Sequence, residues 1–126
     1  MISLYTTAFN LGNFGFSLED ALSNWLYYVD EVVISTLTSQ VEEIKNEVKE
    51  TGFDDSVKIV APDLNINEDL YWVGKLKDAS LKKCTHDVVI QADFDERISG
   101  SKESLHELAK EINIHDFSCS IMLPTI

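Results

Sequence analysis

The sequence predicts an α/β protein built on a doubly wound, mostly parallel sheet, and three observations carry that reading. Short apolar runs alternate with stretches of helical periodicity from one end to the other. The runs Val32-Val33-Ile34 and Val88-Val89-Ile90 are continuously apolar, as strands buried on both faces are. The stretches between runs are long enough to cross a sheet and return in parallel.

Residues 2–8 are apolar and β-rich, and Asn10, Gly12 and Asn13 then signal a turn, which makes a first strand. Ser17 precedes Leu18, Glu19 and Asp20, an N-cap followed by acids in the first helical turn. That helix runs to about Tyr28 with Leu18, Leu22 (or Ala21), Trp25 and Leu26 inward, and Asp30 marks its exit. Residues 32–35 form the second strand. Residues 39–51 then place Val41, Ile44 and Val48 on one helical face and mostly Glu and Lys on the other, with Gly52 as the stop. Residues 57–60 form a third strand closed by Pro62 and Asp63. Asn67 or Asp69 caps a helix through about Cys84, and residues 87–92 form the fourth strand. Gly100 and Ser101 open a helix with Leu105, Leu108, Ala109 and Ile112 inward, and residues 117–123 read as a fifth strand. No repeat, low-complexity tract or long linker interrupts this order, so residues 1–126 read as one domain.

Composition narrows the function. At 126 residues, 44% hydrophobic and 25% charged, the chain is an ordinary globular domain able to bury a core unaided. Its net charge of -12 repels phosphate backbones and anionic membranes, which argues against nucleic acid as a partner. A nucleotide diphosphate is repelled too, unless a divalent cation or local lysines offset the field. Cys84 and Cys119 lie far apart with no metal-binding spacing, and read as reduced thiols. The start of the chain lacks a signal-peptide pattern, and no stretch has the length of a membrane span, so the expected compartment is cytoplasmic.

In such sheets ligands sit at the carboxyl ends of the strands. Asp93-Phe94-Asp95-Glu96 follows directly from a buried strand there. On an extended segment Asp93 and Asp95 point the same way, so they can share one hard cation, Mn²⁺ or Mg²⁺, bridging phosphate oxygens. An acidic loop at a strand end is also a common surface feature. Gly12 and Gly15 are not followed by the lysine of a phosphate-binding P-loop, and no nucleophile–base pair is recognisable among His86, His106, His115 and the Ser and Cys residues. His106 is expected on an exposed helix face and His115 in a loop.

Taken in order, the segments ISLYTTAFN (2–10), LEDALSNWL (18–26), VDEVVI (29–34) and KDASLKKCTHDVVIQADFDE (77–96) resemble family 2 glycosyltransferases of the Rossmann-like GT-A fold. The last segment resembles that family's "RN-x-G…A-x-G-[DE]-Y…D-x-D" block at matching spacing. The likeness covers nearly the whole chain. It implies a nucleotide-sugar site in which Thr7, Ala8, Phe9 and Asn10 border the nucleoside. Phe9 reads equally as an ordinary core phenylalanine. Lys77 stands where the family has Arg, and approaches the diphosphate or is simply solvated. By the same likeness Asp93 and Phe94 of the DxD motif lie at the ribose or sugar, and Asp95 is the direct metal ligand with Asp93 beside it.

Three departures qualify the likeness. The segment after the second strand is Ser35 to Ser39, without the family's base-reading acid, leaving Thr36, Thr38 or the later Asp63 for that role. His86 replaces a family glycine. No later segment supplies a general base, Glu96 and Asp116 being the nearest acids, so the GT-A-like domain is expected to be truncated after the DxD region. The expected partners are a nucleotide-diphosphate sugar, a saccharide or other hydroxyl acceptor, and a completing chain or second copy meeting apolar surface at 117–123. A non-catalytic nucleotide-sugar-binding or interaction module is the alternative, and another metal-dependent nucleotide-handling enzyme a weaker one.

Overall fold

The computed structural model describes residues 1–10 and 17–115, with side chains to residue 112. The expected turn at Gly12 and Asn13, the expected fifth strand at 117–123, Asp116 and Cys119 lie outside the described residues. Four strands, β1 (Ile2–Thr7), β2 (Glu31–Ser35), β3 (Val57–Val60) and β4 (Val88–Gln91), form one all-parallel sheet in the order β3-β2-β1-β4. Leu4 stands opposite Val32 on one side and Ile90 on the other. This is the α/β architecture that the alternating pattern predicts.

Four helices alternate with the strands: α1 (Leu18–Tyr28), α2 (Val41–Thr51), α3 (Trp72–Lys82) and α4 (Lys102–His115). Ser17 caps α1 as expected, its hydroxyl accepting from the Asp20 N–H at 3.2 Å. A short 3-10 turn, Thr38–Gln40, leads into α2, and Gly52 ends that helix at φ 82°, a conformation that only glycine adopts without strain. Two boundaries differ from the sequence reading. α3 begins at Trp72 with no side-chain cap, so neither expected residue caps it: Asp69 is used in a turn, its Oδ1 accepting from the Tyr71 N–H, and Asn67 lies in a turn where its N–H donates to Asn65 Oδ1. His115 ends α4 instead of lying in a loop.

Alternation along the strands splits the sheet into two faces. Ile2, Leu4, Val32, Ile34 and Ile90 join Leu22, Trp25, Ile44, Val48 and Ala109 in one core beneath α1, α2 and α4. The other face of β1 and β2, carrying Ser3, Tyr5, Glu31 and Val33, is crossed by α3. No helix among the described residues is long and apolar enough to cross a membrane.

The amino end of this second face holds a satisfied charge. Glu31 Oε1 accepts from Ser3 Oγ at 2.6 Å, the Thr85 N–H at 2.6 Å and Thr85 Oγ1 at 2.9 Å, and its Oε2 pairs with Lys58 at 3.1 Å. Burial pushes this carboxyl up, but the bonds from Ser3, Thr85 and Lys58 outweigh it and hold its pKa at about 2. Burial, then the nearby Glu31 carboxylate, push the half-buried Cys84 up to about 11, so at neutral pH it is a protonated thiol.

Candidate functional site

The strand order fixes where a ligand crevice opens. The chain moves from β1 to β2 to β3 on one side, and β4 returns to the other side of β1. The crevice at such a switch lies outside the carboxyl ends of β1 and β4. Phe9 and Asn10 follow β1 there, and Asp93 to Glu96 follow β4.

Asp93 and Asp95 come together through a turn instead of the extended segment expected, and Glu96 joins them, with ligand oxygens all within 4.8 Å of one another. Asp93 is exposed and the other two are half-buried. A tight turn brings Glu96 back onto the triplet: the Glu96 N–H donates to Asp93 O at 3.0 Å, and Glu96 Oε1 accepts from the Asp93 N–H at 2.8 Å. None of the three forms an ion pair among the described residues. Every Lys and Arg in the sequence is among those residues. Two charges 4.8 Å apart repel by about 1 kcal/mol in bulk water and about 3 kcal/mol at an effective dielectric near 20.

The donor set fits a hard divalent cation. Oxygens bound to one such ion lie at most about twice the ~2.1–2.4 Å bond length apart, so the cluster closes on an ion with shifts of about half an ångström. Its three ligands are all carboxylates, which suit Mg²⁺, Mn²⁺ or Ca²⁺ over softer metals.

Helix α1 holds the segment from behind. Phe94 is turned into the core, 5% exposed, with its ring 5.3 Å from that of Trp25 in an edge-on contact. Trp25 Nε1 donates to Glu96 O at 3.2 Å. Asn24 exchanges two bonds with the backbone of Ile98 at 2.8 and 2.9 Å, and the Tyr28 hydroxyl donates to Gly100 O at 2.9 Å. Arg97, the sole arginine, faces the same way. It donates to Phe94 O and Glu96 O at 2.6 and 2.8 Å, pairs with Asp20 at 3.1 Å, and lies over Trp25. Its charge is therefore directed at α1 and the backbone, and it pairs with none of the three carboxylates. His106, expected on an open face, is half-buried with Nε2 2.7 Å from Tyr28 O, because α4 packs against α1.

On the β1 side, Thr7 is half-buried opposite Ser35, and Ala8 is fully buried with its N–H donating to Ser35 O at 2.9 Å. Ala8 thus offers a ligand its backbone at most. Asn10 takes a left-handed conformation, φ 54°, and is clasped by Gln40. The Asn10 N–H donates to Gln40 Oε1, and Gln40 Nε2 to Asn10 Oδ1, both at 2.7 Å. Phe9 packs edge-on against Trp72 with centroids 5.0 Å apart. Sequence reasoning missed both Gln40 and Trp72. Each follows a different strand, and only the parallel order of β1, β2 and β3 brings them to one edge.

Lys77 is half-buried and forms no ion pair among the described residues. It lies five residues into α3, roughly 7.5 Å along the axis from the helix start. Thr36 is fully buried and its hydroxyl has no hydrogen-bond partner among the described residues, nor do those of Thr6 and Ser35, whereas Thr38 is exposed. Asp63 is exposed in a cleft of ≈ 500 Å³ with Asn65, Asp69, Tyr71 and Lys75.

No protein-family model matches the sequence, and no curated protein matches it. Among solved structures it is similar to S. aureus TarS, a family 2 glycosyltransferase, with a TM-score of 0.57 and 21% identity. The fold is that of a GT-A glycosyltransferase. The match covers 91% of this chain and 20% of the TarS chain, so this chain spans about a fifth of that protein. At this identity the likeness establishes the GT-A architecture, and functional roles rest on the residues themselves.

Proposed function

We propose that this chain is the donor-binding part of a cytoplasmic glycosyltransferase, holding a nucleotide-diphosphate sugar in the crevice between β1 and β4. The observation that carries this reading is the cluster Asp93, Asp95 and Glu96: three carboxylates with no cationic partner at the switch point of a GT-A sheet. Asp95 and Asp93 would hold Mn²⁺ or Mg²⁺, and Glu96 would brace the turn through Asp93 N–H while offering its second oxygen. A cation held there would supply positive charge to offset that of the diphosphate leaving group. Thr7, the Ala8 backbone, Phe9 and Asn10 border the nucleoside. Phe94 contributes by anchoring the triplet in the core. Lys77 lies on the helix nearest the β1–β2 edge and adds positive charge at longer range. The acceptor is a saccharide or other hydroxyl compound. Its activation belongs to a base that none of these residues supplies.

Calorimetric titration with UDP-, GDP- and CDP-sugars, with and without Mn²⁺, tests the reading. The expected outcome is binding of at least one donor that depends on Mn²⁺, with the dependence removed by Asp95→Ala. Absence of metal-dependent binding by all three, with the protein folded, would refute it.

A further inference from the structure

Phe9 and Trp72 are half-buried aromatic rings that meet at the carboxyl edge, outside the core cluster that encloses the Trp25–Phe94 contact. The pair is braced from three separate elements.

The backbone on both sides of Phe9 is fixed. The Ala8 N–H is bonded to Ser35 O, and Asn10 is held in its left-handed conformation by the two bonds to Gln40. Asparagine adopts this conformation more readily than other residues besides glycine, and the two bonds hold Asn10 in it. Trp72 is equally fixed, as the first residue of α3. The preceding Tyr71 N–H is tied to Asp69 Oδ1 at 3.0 Å, the Lys75 N–H to Tyr71 O at 3.1 Å, and the Asp69 carboxylate pairs with Lys75. With both backbones fixed, the freedom left to Phe9 is that of its two side-chain torsions. The edge-on contact at 5.0 Å and 65° restricts them.

We propose that Trp72 is a positioning residue for the nucleotide base: by fixing the plane of the Phe9 ring beside the β1–β4 crevice, it preorganises an aromatic seat for a nucleobase. This deepens the donor-binding reading and rests on it. An aromatic face held in place before binding loses less freedom when a planar base packs on it. The contact is sequence-tolerant, since every base has a π-face. Trp72 therefore raises affinity for nucleotides in general, and discrimination among bases falls to the polar groups at the edge.

The test is calorimetric titration of UDP, GDP and CDP, in Mn²⁺, into wild type, Trp72→Leu and Trp72→Phe, with Mn²⁺ alone titrated in parallel. Trp72→Leu is expected to weaken nucleotide binding about tenfold. Trp72→Phe keeps an aromatic edge against Phe9 and is expected to restore it to within about threefold of wild type. Mn²⁺ affinity should be unchanged in both, a readout that general unfolding would not spare. Equal nucleotide affinity in wild type and Trp72→Leu would overturn this inference and leave the donor reading standing. Equal loss in Trp72→Leu and Trp72→Phe would overturn it too. Absence of nucleotide binding by the wild type would overturn the donor reading, and this inference with it.

Discussion

The two ends of the sheet treat acidic groups in opposite ways. At the amino end, Glu31 is nearly buried and accepts three hydrogen bonds on one oxygen while its other oxygen pairs with Lys58. At the carboxyl end, the ligand oxygens of Asp93, Asp95 and Glu96 crowd within 4.8 Å without an ion-pair partner among the described residues. The sole arginine, one residue away, turns from them toward Asp20 and backbone carbonyls. A paired carboxylate contributes stability, whereas an unpaired cluster opposes it through mutual repulsion that a bound cation would relieve. The difference separates structural acids from candidate functional ones more cleanly than exposure does, since Asp95 and Glu96 are themselves half-buried.

Substitutions that break this contrast should rank by how much structure each acid or brace supports. Trp25→Ala should cost most, about 4 kcal/mol, because it opens a cavity beneath both Phe94 and the Glu96 carbonyl. Urea unfolding measures this, and a cost below about 1 kcal/mol would show that the acidic segment does not depend on α1. Glu31→Leu should follow at about 3 kcal/mol, since it strands the Ser3 and Thr85 donors.

The pH dependence of stability sharpens the same point. The folded-state pKa of Glu31 is depressed from 4.5 to about 2, so its stabilisation is fully present above pH 4.5 and is lost as pH falls toward 2. The shift corresponds to about 3 kcal/mol. Glu31→Gln should flatten the acid limb of the stability profile in that window, and an unchanged limb would remove Glu31 from the account. Asp95→Asn should have the smallest effect and the opposite sign. Relief of repulsion should raise stability without metal by about 0.5 kcal/mol, as read from denaturation midpoints. A loss above about 1 kcal/mol would instead make Asp95 a structural acid.

Most of the fold was legible because its signals are local. The apolar runs of β1 to β4, the Ser17 cap, the Gly52 stop and the position of the acidic triplet after β4 are all set by neighbours in sequence. What was not legible depends on chain segments far apart. Asn67 and Asp69 are good caps by type, yet both lie in turns and α3 starts at Trp72. His106 looks solvent-facing on α4 until α1 presents the Tyr28 carbonyl to it. Gln40 and Trp72 carry no motif and reach the edge through β2 and α3. Glu31 sits in an apolar strand, and its partners come from β1, β3 and the turn before β4. In the site itself, the triplet was readable, but its bracing by Asn24, Trp25 and Tyr28 was not.

The measurement that bears most directly on the unpaired carboxylates is thermal unfolding with and without Mn²⁺ for wild type, Glu31→Gln and Asp95→Asn. A ligand present at about 100 times its dissociation constant stabilises the folded state by about 2.7 kcal/mol, a midpoint rise of several degrees for a domain of this size. Wild type and Glu31→Gln should both show that rise, and Asp95→Asn should lose most of it. An equal rise in Asp95→Asn, or none in the wild type, would contradict a cation site at Asp93, Asp95 and Glu96.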